Sequence, residues 1–286
     1  MLRIRSIARL TGVREATLRA WERRYGFPLP ERGENGYRSY NQNELERIRR
    51  VARLMEQGFS ASEAIGQVRA QTEPDAWLPE GVRTRFWDAA KALDSEALEQ
   101  LLTEAAEHLA PLRLCDEVLL PLLREMSERL DIAREHLASS LVRQRLGALV
   151  TAAPVSSEGP LALLACSPFD AHEGGLLALA LHLKVGGYRV SMLGADTPVT
   201  ALEAACRAAA PDVVGLSFVR RLEDGEVAPL IRSLNAAAAP ALLVVGGSGI
   251  REHLRAVAEG GGHFAESAED FISLHRKLAN LADPGP

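Results

Sequence analysis

The second half of the chain alternates short apolar runs with helical stretches, and this alternation limits the possible folds more than any other feature. Short apolar runs of this kind are typical of strands buried in a parallel sheet. Because parallel strands are joined by helical crossovers, the pattern predicts a doubly wound, Rossmann-like α/β domain over residues 158–282. The runs are "LALLACS" at 161–167, "YRVSMLG" at 188–194, "PDVVGLSFV" at 211–219 and "PALLVVGG" at 240–247, separated by stretches such as "GLLALALHLKVGG" and "VTALEAACRAAA".

A helical block precedes this domain. The segment "LDSEALEQLLTEAAEHLA" contains Asp94, a residue type that caps helix N-termini, followed by apolar residues at helical spacing. We therefore predict a four-helix-type bundle over residues 80–152, reached through a polar connector around "AQTEPDAWLPEG". The apolar positions of the quoted helix are Leu98, Leu101, Leu102 and Ala105.

Residues 1–72 are predicted to form a separate, mainly helical domain. The segment "SIARLTGVREATLRAWERRYG" reads as a helix, a turn at Gly12 and a second helix, which is the arrangement of a helix-turn-helix. A Gly/Pro-rich stretch with a hairpin at "ENGY" follows and predicts a wing, and "NQNELERIRRVARLMEQGFSASEAI" predicts a further helix. The residues expected to form the small shared core are Ile7, Ala8, Leu10, Val13, Leu18 and Trp21.

The charge of the chain is unevenly distributed. Residues 1–70 contain 14 Arg, no Lys and 8 Glu, a net charge of +6, although the whole chain carries −5. A basic N-terminal end favours a polyanionic partner, here double-stranded DNA, although surface arginines are also common on solvated helix faces. The candidate DNA contacts are Arg14, Thr17, Arg19, Arg23 and Arg24 on the second helix, and Tyr37, Arg38 and Tyr40 on the wing.

The pattern "TLRAWERRYGF…R…GYRSY" with its following helix resembles the winged-helix DNA-binding domain of the MerR family. The resemblance implies DNA contacts from Thr17, Arg19, Tyr37 and Arg38. Proteins of this type often sense metals through cysteines near a long dimerisation helix, but no cysteine precedes Cys115 here. The three cysteines stand far apart and form no C-x-x-C motif, which argues against a disulfide framework or a cysteine-based zinc site.

The stretch "DAHEGG" places an Asp and a His directly after the first predicted strand. Taken alone, it is a polar loop between a strand and a helix. Downstream, however, "SFV" and a Gly-Gly pair follow other predicted strands, and the carboxyl ends of parallel strands line the crevice of such sheets. A dinucleotide site is disfavoured because no G-x-G-x-x-G follows the first strand. The candidate site residues are Asp170, His172, Gly175, Ser217, Val219, Gly246 and Gly247.

In this order and spacing, the pieces resemble the cobalamin-binding module of mutases and methionine synthase. The resemblance implies that His172 ligates cobalt from below and that Asp170 accepts a hydrogen bond from its other ring nitrogen. It also implies that Gly175 lets the backbone approach the ring and that Ser217 hydrogen-bonds the buried nucleotide tail. Gly246 and Gly247 would leave room for that tail.

The order of the three parts resembles the CarH/LitR type of light-responsive transcriptional repressors. These parts are a MerR-type DNA-binding domain, a helical block and a cobalamin-binding module. In that family, adenosylcobalamin lies between the helical block and the α/β domain and assembles a tetramer on operator DNA, which light dismantles. The resemblance implies a regulator, not an enzyme, because corrinoid enzymes need a substrate-activating barrel that this chain lacks. A homo-oligomer, dimer or tetramer, is expected.

The chain departs from that family on the upper face of the cofactor. The family's Trp falls at Leu130, whereas its Glu-His pair is present as Glu135–His136. Leu cannot replace the area or stacking of Trp. The alternatives are a cobalamin sensor with an altered upper face, an ordinary adenosylcobalamin light sensor, or a regulator that uses another tetrapyrrole or no cofactor and takes its signal from a protein partner. His136 is either a second cobalt ligand or a helix-packing or hydrogen-bonding residue.

The start of the chain, "MLRIRSIARL", contains no apolar signal-peptide stretch, and no apolar run is long enough to cross a bilayer. Together with the scattered cysteines, these features predict a cytoplasmic protein that does not engage membranes.

Overall fold

The computed structural model describes residues 2–28, 30–32, 38–40 and 42–282 of the 286-residue chain. The chain divides into two compact units, Met1–Gly81 and Val82–Pro286. Hydrophobic clusters of buried residues lie within each unit. The finer division into domains at 1–72, 80–152 and 158–282 stays a prediction.

The first unit consists of short helices and a small antiparallel sheet with the strand order β1-β3-β2. The pairing of β1 with β3, in which Leu2 lies opposite Tyr40, was not predicted from the sequence. The strands are β1 (Leu2–Arg3), β2 (Glu31–Arg32) and β3 (Arg38–Tyr40), and the helices are α1 (Ile4–Thr11), α2 (Glu15–Tyr25), α3 (Gln42–Glu56) and α4 (Ala61–Ala76).

Gly12 forms the turn of the helix-turn-helix, as predicted. Its φ of +73° is left-handed, and its N–H donates to the carbonyl of Ala8 at 3.0 Å, which ends α1. Ile7, Leu18 and Trp21 are buried together, which confirms most of the predicted core. Placing Leu10 in this core was wrong: it lies in the last turn of α1, one residue before the helix ends, and is 42% exposed.

The wing strands β2 and β3 pair antiparallel, with Glu31 opposite Ser39 and Arg32 opposite Arg38. This pairing agrees with the predicted hairpin. The predicted turn "ENGY", including Tyr37, lies outside the described residues.

The single helix predicted after the wing is in fact two helices, α3 and α4. Gly58 lies between them with a left-handed φ of +100°, so the chain turns there. Ser60 and Glu63 then form a capping box: the Glu63 carboxylate accepts the Ser60 N–H at 2.9 Å, and the Ser60 hydroxyl accepts the Glu63 N–H at 3.3 Å. The predicted polar connector is also mostly helical, because α4 continues to Ala76.

The second unit begins within a helical bundle. Asp94 caps its helix as predicted, because its carboxylate accepts the N–H of Ala97 at 3.0 Å. The four predicted apolar positions of that helix are buried. The bundle elements are α5 (Pro79–Ala92), α6 (Ser95–His108), α7 (Pro111–Leu114), a π-helical turn (Cys115–Leu119), α8 (Leu120–Arg129) and α9 (Ile132–Ala152).

The predicted α/β domain follows as a five-stranded parallel sheet with the strand order β5-β4-β6-β7-β8. The sequence patterns found the first four strands but not β8, which has only two residues. The strands are β4 (Leu161–Cys166), β5 (Arg189–Gly194), β6 (Val213–Ser217), β7 (Leu242–Gly246) and β8 (His263–Phe264). The helices are α10 (Gly174–Val185), α11 (Val199–Ala209), α12 (Asp224–Ala238), α13 (Leu254–Glu259) and α14 (Ala268–Ala282).

Helices cover both faces of this sheet, so the domain is doubly wound. α11, α12 and α13 pack on one face around residues such as Leu202 and Ile231. α10 and α14 pack on the other face around residues such as Leu176 and Phe271. The central strands β4, β6 and β7 therefore face an apolar layer on both sides, which explains their continuous apolar sequences.

The bundle lies against α10 of the α/β domain. The Lys184 ammonium group donates to the carbonyl of Val150, in α9, at 2.7 Å. A Cβ added at Gly174 would lie 2.4 Å from a methyl carbon of Leu123, so α8 approaches the start of α10 closely. These contacts join the bundle to the helix that begins at Gly174, within "DAHEGG".

The three cysteines, Cys115, Cys166 and Cys206, are free and buried. Burial raises the pKa of Cys115 and of Cys166 to about 12, so both thiols are protonated near neutral pH. Among the described residues, no helix combines the length and the apolar character needed to cross a membrane.

Candidate functional site

The candidate site lies where two loops leave neighbouring strands of the parallel sheet. β4 stands between β5 and β6. The connection after β4 therefore leads to one side of the sheet, to β5, and the connection after β6 leads to the other side, to β7. Such a switch point opens a crevice at the carboxyl ends of the strands, where ligands of open α/β sheets bind. The structure places Asp170 and His172 after β4, and Ser217 and Val219 at the end of β6, at this edge.

Asp170 connects the two loops. Its side chain is buried, and one carboxylate oxygen accepts the backbone N–H groups of Val219 at 2.5 Å and Arg220 at 3.0 Å. The other oxygen accepts the backbone N–H of His172 at 3.0 Å and its ring Nδ1 at 2.8 Å. Four donors therefore satisfy a carboxylate that would otherwise be costly to bury.

The same contacts control the charge of Asp170. Burial by itself would raise the pKa of this carboxyl group. The N–H groups of Arg220 and Val219 and the two hydrogen bonds from His172 outweigh burial and hold the Asp170 pKa below its ordinary value. Asp170 is therefore a carboxylate at neutral pH and acts only as a hydrogen-bond acceptor.

His172 is held by its inner nitrogen, and no described residue hydrogen-bonds to its outer one. A carboxylate can only accept, so in the neutral imidazole Nδ1 carries the proton and Nε2 presents its lone pair. The side chain of His172 is 67% exposed, so Nε2 is accessible to a ligand from the crevice. An imidazole that is oriented by a buried carboxylate is the usual arrangement of a metal-ligating histidine. These residues fit a cofactor that offers one metal coordination position.

The glycines of the predicted site have two different roles. A Cβ at Gly175 would have Ser217 Oγ, at 3.9 Å, as its nearest neighbour, so this glycine borders open space. A Cβ at Gly247 would lie 2.2 Å from the carbonyl oxygen of Phe218, and one at Gly246 would lie 2.9 Å from that of Ala265. Close backbone packing therefore explains why both positions are glycine, and the prediction that the pair leaves room for a nucleotide tail stays a prediction.

A third loop, which follows β5, supports the site. Asp196, in the segment "GADTP", accepts the N–H of Phe169 at 2.6 Å and donates its own N–H to the carbonyl of Asp170 at 2.8 Å. Phe169 has a left-handed φ of 63° and is 76% exposed, and the Arg220 guanidinium lies 6.0 Å from its ring centroid. The sequence patterns did not single out Phe169 or Arg220, because neither belongs to the motif.

The predicted upper-face residues lie on the bundle. Leu130 is half-buried and extended at the end of α8, and only Asp131 separates it from α9. Glu135 lies half-buried in the first turn of α9, and His136 is exposed beside it. Within the part of the chain that the structure describes, no hydrogen bond or ion pair joins these three residues to His172, and their place at the cofactor stays a prediction.

The DNA-contact candidates of α2 are accessible. Arg14, Arg19, Arg23 and Arg24 are exposed, and Thr17 is half-buried. In α2 the side chains of Leu18 and Trp21 are buried, so the helix packs by one side and presents its arginines on the other.

The two described wing residues that were predicted to contact DNA, Arg38 and Tyr40, both make contacts within the protein. Arg38 donates two hydrogen bonds to the Glu22 carboxylate, at 2.7 and 3.1 Å, which fixes β3 to α2. Tyr40 is 1% exposed, and its buried hydroxyl has no partner among the described residues. Burial raises the Tyr40 pKa, and the nearby charge of Glu22 adds to the shift. Tyr40 is therefore a core residue, and its predicted direct DNA contact is corrected.

Comparisons with known proteins match each part of this architecture. Residues 2–70 match the MerR HTH family regulatory protein model, and residues 82–150 and 160–270 match two B12 binding domain models. The chain is 53% identical over 283 residues to the HTH-type transcriptional repressor CarA of Myxococcus xanthus, covering 98% of both chains. It is 35% identical over 291 residues to the repressor CarH of the same organism, covering 95% of this chain and 97% of that one.

The chain belongs to the CarH-type family of MerR regulators. This CarH-type regulator contains cobalamin-binding domains, and because its relatives are named transcriptional repressors, the prediction that it is not an enzyme is confirmed. The monomethylamine corrinoid protein of Methanosarcina barkeri has a similar fold, with a TM-score of 0.55 at 16% identity, covering 70% of this chain and 100% of that one. At this identity the similarity shows the fold alone.

Proposed function

We propose that this CarH-type regulator is a transcriptional repressor whose self-assembly and operator binding are controlled by a cobalamin. The observation that carries the proposal is the Asp170–His172 pair, in which a buried carboxylate orients an accessible imidazole. His172 would ligate the cobalt from below, and Gly175 would allow the ring to approach beside Ser217. When bound, adenosylcobalamin supplies a cobalt–carbon bond that light can break.

The upper wall of the cofactor site would come from the bundle. Its contacts with α10 place it beside the helix that follows the His172 loop. We expect Leu130, Glu135 and His136 to face the upper ligand, with His136 as a hydrogen-bonding residue. Leu130 cannot supply the flat surface of a Trp, so this upper face should select less strongly for the adenosyl group.

Assembly would raise DNA affinity by multiplying weak contacts. One helix-turn-helix contributes a few arginines, Arg14, Arg19, Arg23 and Arg24, together with Thr17, Arg38 and the undescribed Tyr37. A homo-oligomer engages several half-sites on double-stranded DNA at once, so affinity rises without any new contact within a subunit. The cofactor at the seam of bundle and α/β domain would act by favouring the assembled state.

A second candidate rests on the Leu130 substitution. If the altered upper face no longer reports a cofactor, the same fold would serve a regulator that uses another tetrapyrrole or none and takes its signal from a protein partner. The Asp170–His172 pair would then only stabilise the loop.

A titration of the purified full-length protein with adenosylcobalamin in the dark separates the two candidates. Ligation by His172 predicts a base-off, His-ligated absorption spectrum and a higher affinity for an operator obtained by in vitro selection. His172→Ala should lose both effects. The matched control is His108→Ala, which removes an exposed histidine from α6 of the bundle.

Loss of the cofactor spectrum in His172→Ala with unchanged assembly and operator affinity would favour the protein-partner candidate. Equal effects of His172→Ala and His108→Ala would contradict ligation by His172. Illumination of the wild-type complex tests the light response separately, because binding without a light effect would indicate a cobalamin sensor that has lost its photochemistry.

A further inference from the structure

Three potential metal ligands converge where the bundle meets the α/β domain. Cys115 and Asp116 lie in the π-helical turn of the bundle, and His182 lies on α10. One donor atom from each residue lies within 4.8 Å of the other two. His182 Nε2 and an Asp116 carboxylate oxygen are only 2.8 Å apart. The cluster lies outside the Asp170–His172 loop and takes no part in the function proposed above.

The local backbone explains how neighbouring residues reach one imidazole. Adjacent side chains of an α-helix diverge by about 100°, so they do not normally meet the same partner. Between Cys115 and Leu119 the helix widens to a π-turn, in which the N–H of Leu120 donates to the carbonyl of Cys115. Single π-turns of this kind are rare and often occur at functional sites.

The donor set selects a class of metal. A thiolate, an imidazole and a carboxylate are the ligands of zinc and of similar divalent transition ions, whereas magnesium and calcium prefer oxygen alone. The Cys115 side chain is buried, the His182 side chain is 19% exposed, and the Asp116 side chain is 44% exposed. The Cys115 sulfur therefore lies on the buried side of the cluster. The solvent-exposed side, beside Asp116, leaves a coordination position for water.

We propose that Cys115, Asp116 and His182 form a binding site for a zinc-type divalent cation that clamps the bundle to α10. The cation would replace the Cys115 thiol proton, which passes to solvent. It would also replace the Nε2 proton that His182 donates to Asp116, and the imidazole would then carry its proton on Nδ1. No residue changes oxidation state. The clamp would hold the bundle against the helix that begins just after His172, and it does not depend on cobalamin binding.

The individual sequence patterns could not predict this site. Asp116 and His182 lie 66 positions apart in the chain, and no C-x-x-C or H-x-x-x-H spacing marks the three ligands. The scattered cysteines argue against a cysteine-rich zinc site, but they do not exclude one cysteine that meets a distant histidine through the fold.

The test uses metal-free, cobalamin-free full-length protein titrated with Co²⁺ as the probe. A thiolate ligand gives Co²⁺ an intense charge-transfer absorption in the near ultraviolet, so we expect that band to saturate at one equivalent and to disappear when Zn²⁺ is added. Asp116→Asn and His182→Gln should each weaken Co²⁺ binding at least tenfold, because losing even an outer partner of a metal ligand typically costs about 10- to 100-fold.

Controls distinguish this site from the other cysteines and from the cofactor loop. Cys115→Ser should abolish the band, whereas Cys206→Ser, which alters a different buried cysteine, and His172→Ala should leave it intact. Because Cys115 is buried and its replacement could disturb folding, the more exposed Asp116→Asn variant is decisive if Cys115→Ser does not fold.

Saturation at one equivalent with loss in the three ligand variants would support the clamp. A Co²⁺ titration without a thiolate band would overturn it, as would a band that survives in Asp116→Asn and His182→Gln with unchanged affinity. Failure of the cobalamin proposal would not affect this result, because the titration contains no cobalamin.

Discussion

At the scale of single residues, Asp170 determines how the cofactor loop is built. Its carboxylate is the one group that contacts both the β6 loop and the imidazole of His172 among the contacts described above. Asp170→Asn would replace one acceptor oxygen with an amide that faces N–H donors. We expect a loss of about 1–3 kcal/mol in the free energy of unfolding, measured by urea denaturation without cofactor. Cobalamin affinity should fall by about 10- to 100-fold, measured by absorption titration.

The stability lost in Asp170→Asn should depend on pH in a defined direction. The folded-state pKa of Asp170 lies below its ordinary value, so its stabilising contribution is complete above the unfolded-state pKa and is lost as the pH falls through the folded-state pKa. The stability difference between the wild type and Asp170→Asn should therefore be constant near neutral pH and shrink below about pH 4. A difference that grows on acidification would contradict the ionised, hydrogen-bonded carboxylate.

Substitution by alanine should have different effects at Gly247, where it should lower stability, and at Gly175, where it should lower cobalamin affinity. Gly247→Ala adds a Cβ that would lie 2.2 Å from the Phe218 carbonyl oxygen at a φ of +110°, so the cofactor-free protein should lose more than about 1 kcal/mol of stability. Gly175→Ala meets no atom closer than 3.9 Å, so stability should hold while cobalamin affinity falls. Thermal unfolding without cofactor, followed by cobalamin titration, compares the two variants.

If Gly175→Ala bound cobalamin like the wild type, the open space beside Ser217 would not belong to the cofactor site. The contrast also shows a limit of sequence patterns. The motif identified both glycines, but only the structure shows that protein backbone fills the space at Gly247, because that contact joins loops 29 residues apart in the chain.

At the scale of elements, we expect exposed residues of α2 to contribute to DNA binding and the buried Tyr40 of β3 not to contribute. Arg23→Ala removes an exposed cation of α2, so operator affinity should fall and the slope of log affinity against log salt should decrease by about one. Tyr40→Phe removes a buried hydroxyl that has no described partner, so affinity should not change and stability should stay equal or rise. Fluorescence anisotropy at several salt concentrations measures the first effect, and thermal unfolding measures the second.

A loss of operator affinity in Tyr40→Phe comparable to that of Arg23→Ala would restore Tyr40 as a DNA contact. The sequence alone could not separate the two residues, because an aromatic residue after an Arg-rich motif is equally compatible with a core and with a minor-groove position. In the structure, Tyr40 lies opposite Leu2 in the β1–β3 pair and is buried in the cluster that also contains Ile7 and Leu18.

The turn between α8 and α9 should determine which cobalamin is preferred. Leu130→Trp adds a large flat side chain at the end of α8, and one aromatic contact contributes about 0.5–1.5 kcal/mol. We therefore expect the affinity for adenosylcobalamin to rise by about twofold to tenfold relative to hydroxocobalamin. Absorption titrations with both forms measure the ratio. An unchanged ratio would place Leu130 away from the upper ligand.

At the scale of the whole molecule, the sequence predicted the architecture well because each layer has its own periodicity. Alternating apolar runs and helices gave the doubly wound domain, and the Asp94 cap with its helical stripe gave the bundle. Sequence patterns failed where an element depends on contacts between residues far apart in the chain, or where the element is only two residues long. The two-residue strands β1 and β8 and the convergence of His182 on Cys115 and Asp116 depend on contacts between remote segments. The division of α3 from α4 is local, because it follows from Gly58 and the Ser60–Glu63 capping box.

The most direct test of the central claim is the molar mass of the full-length protein by sedimentation velocity. It would be measured without cofactor, with adenosylcobalamin in the dark, and after illumination, for the wild type and for His172→Ala. We predict a larger assembly of the wild type with cofactor than without it, dissociation of that assembly in light, and a constant mass for His172→Ala. If His172→Ala assembled with adenosylcobalamin as the wild type does, control of assembly through His172 would be contradicted.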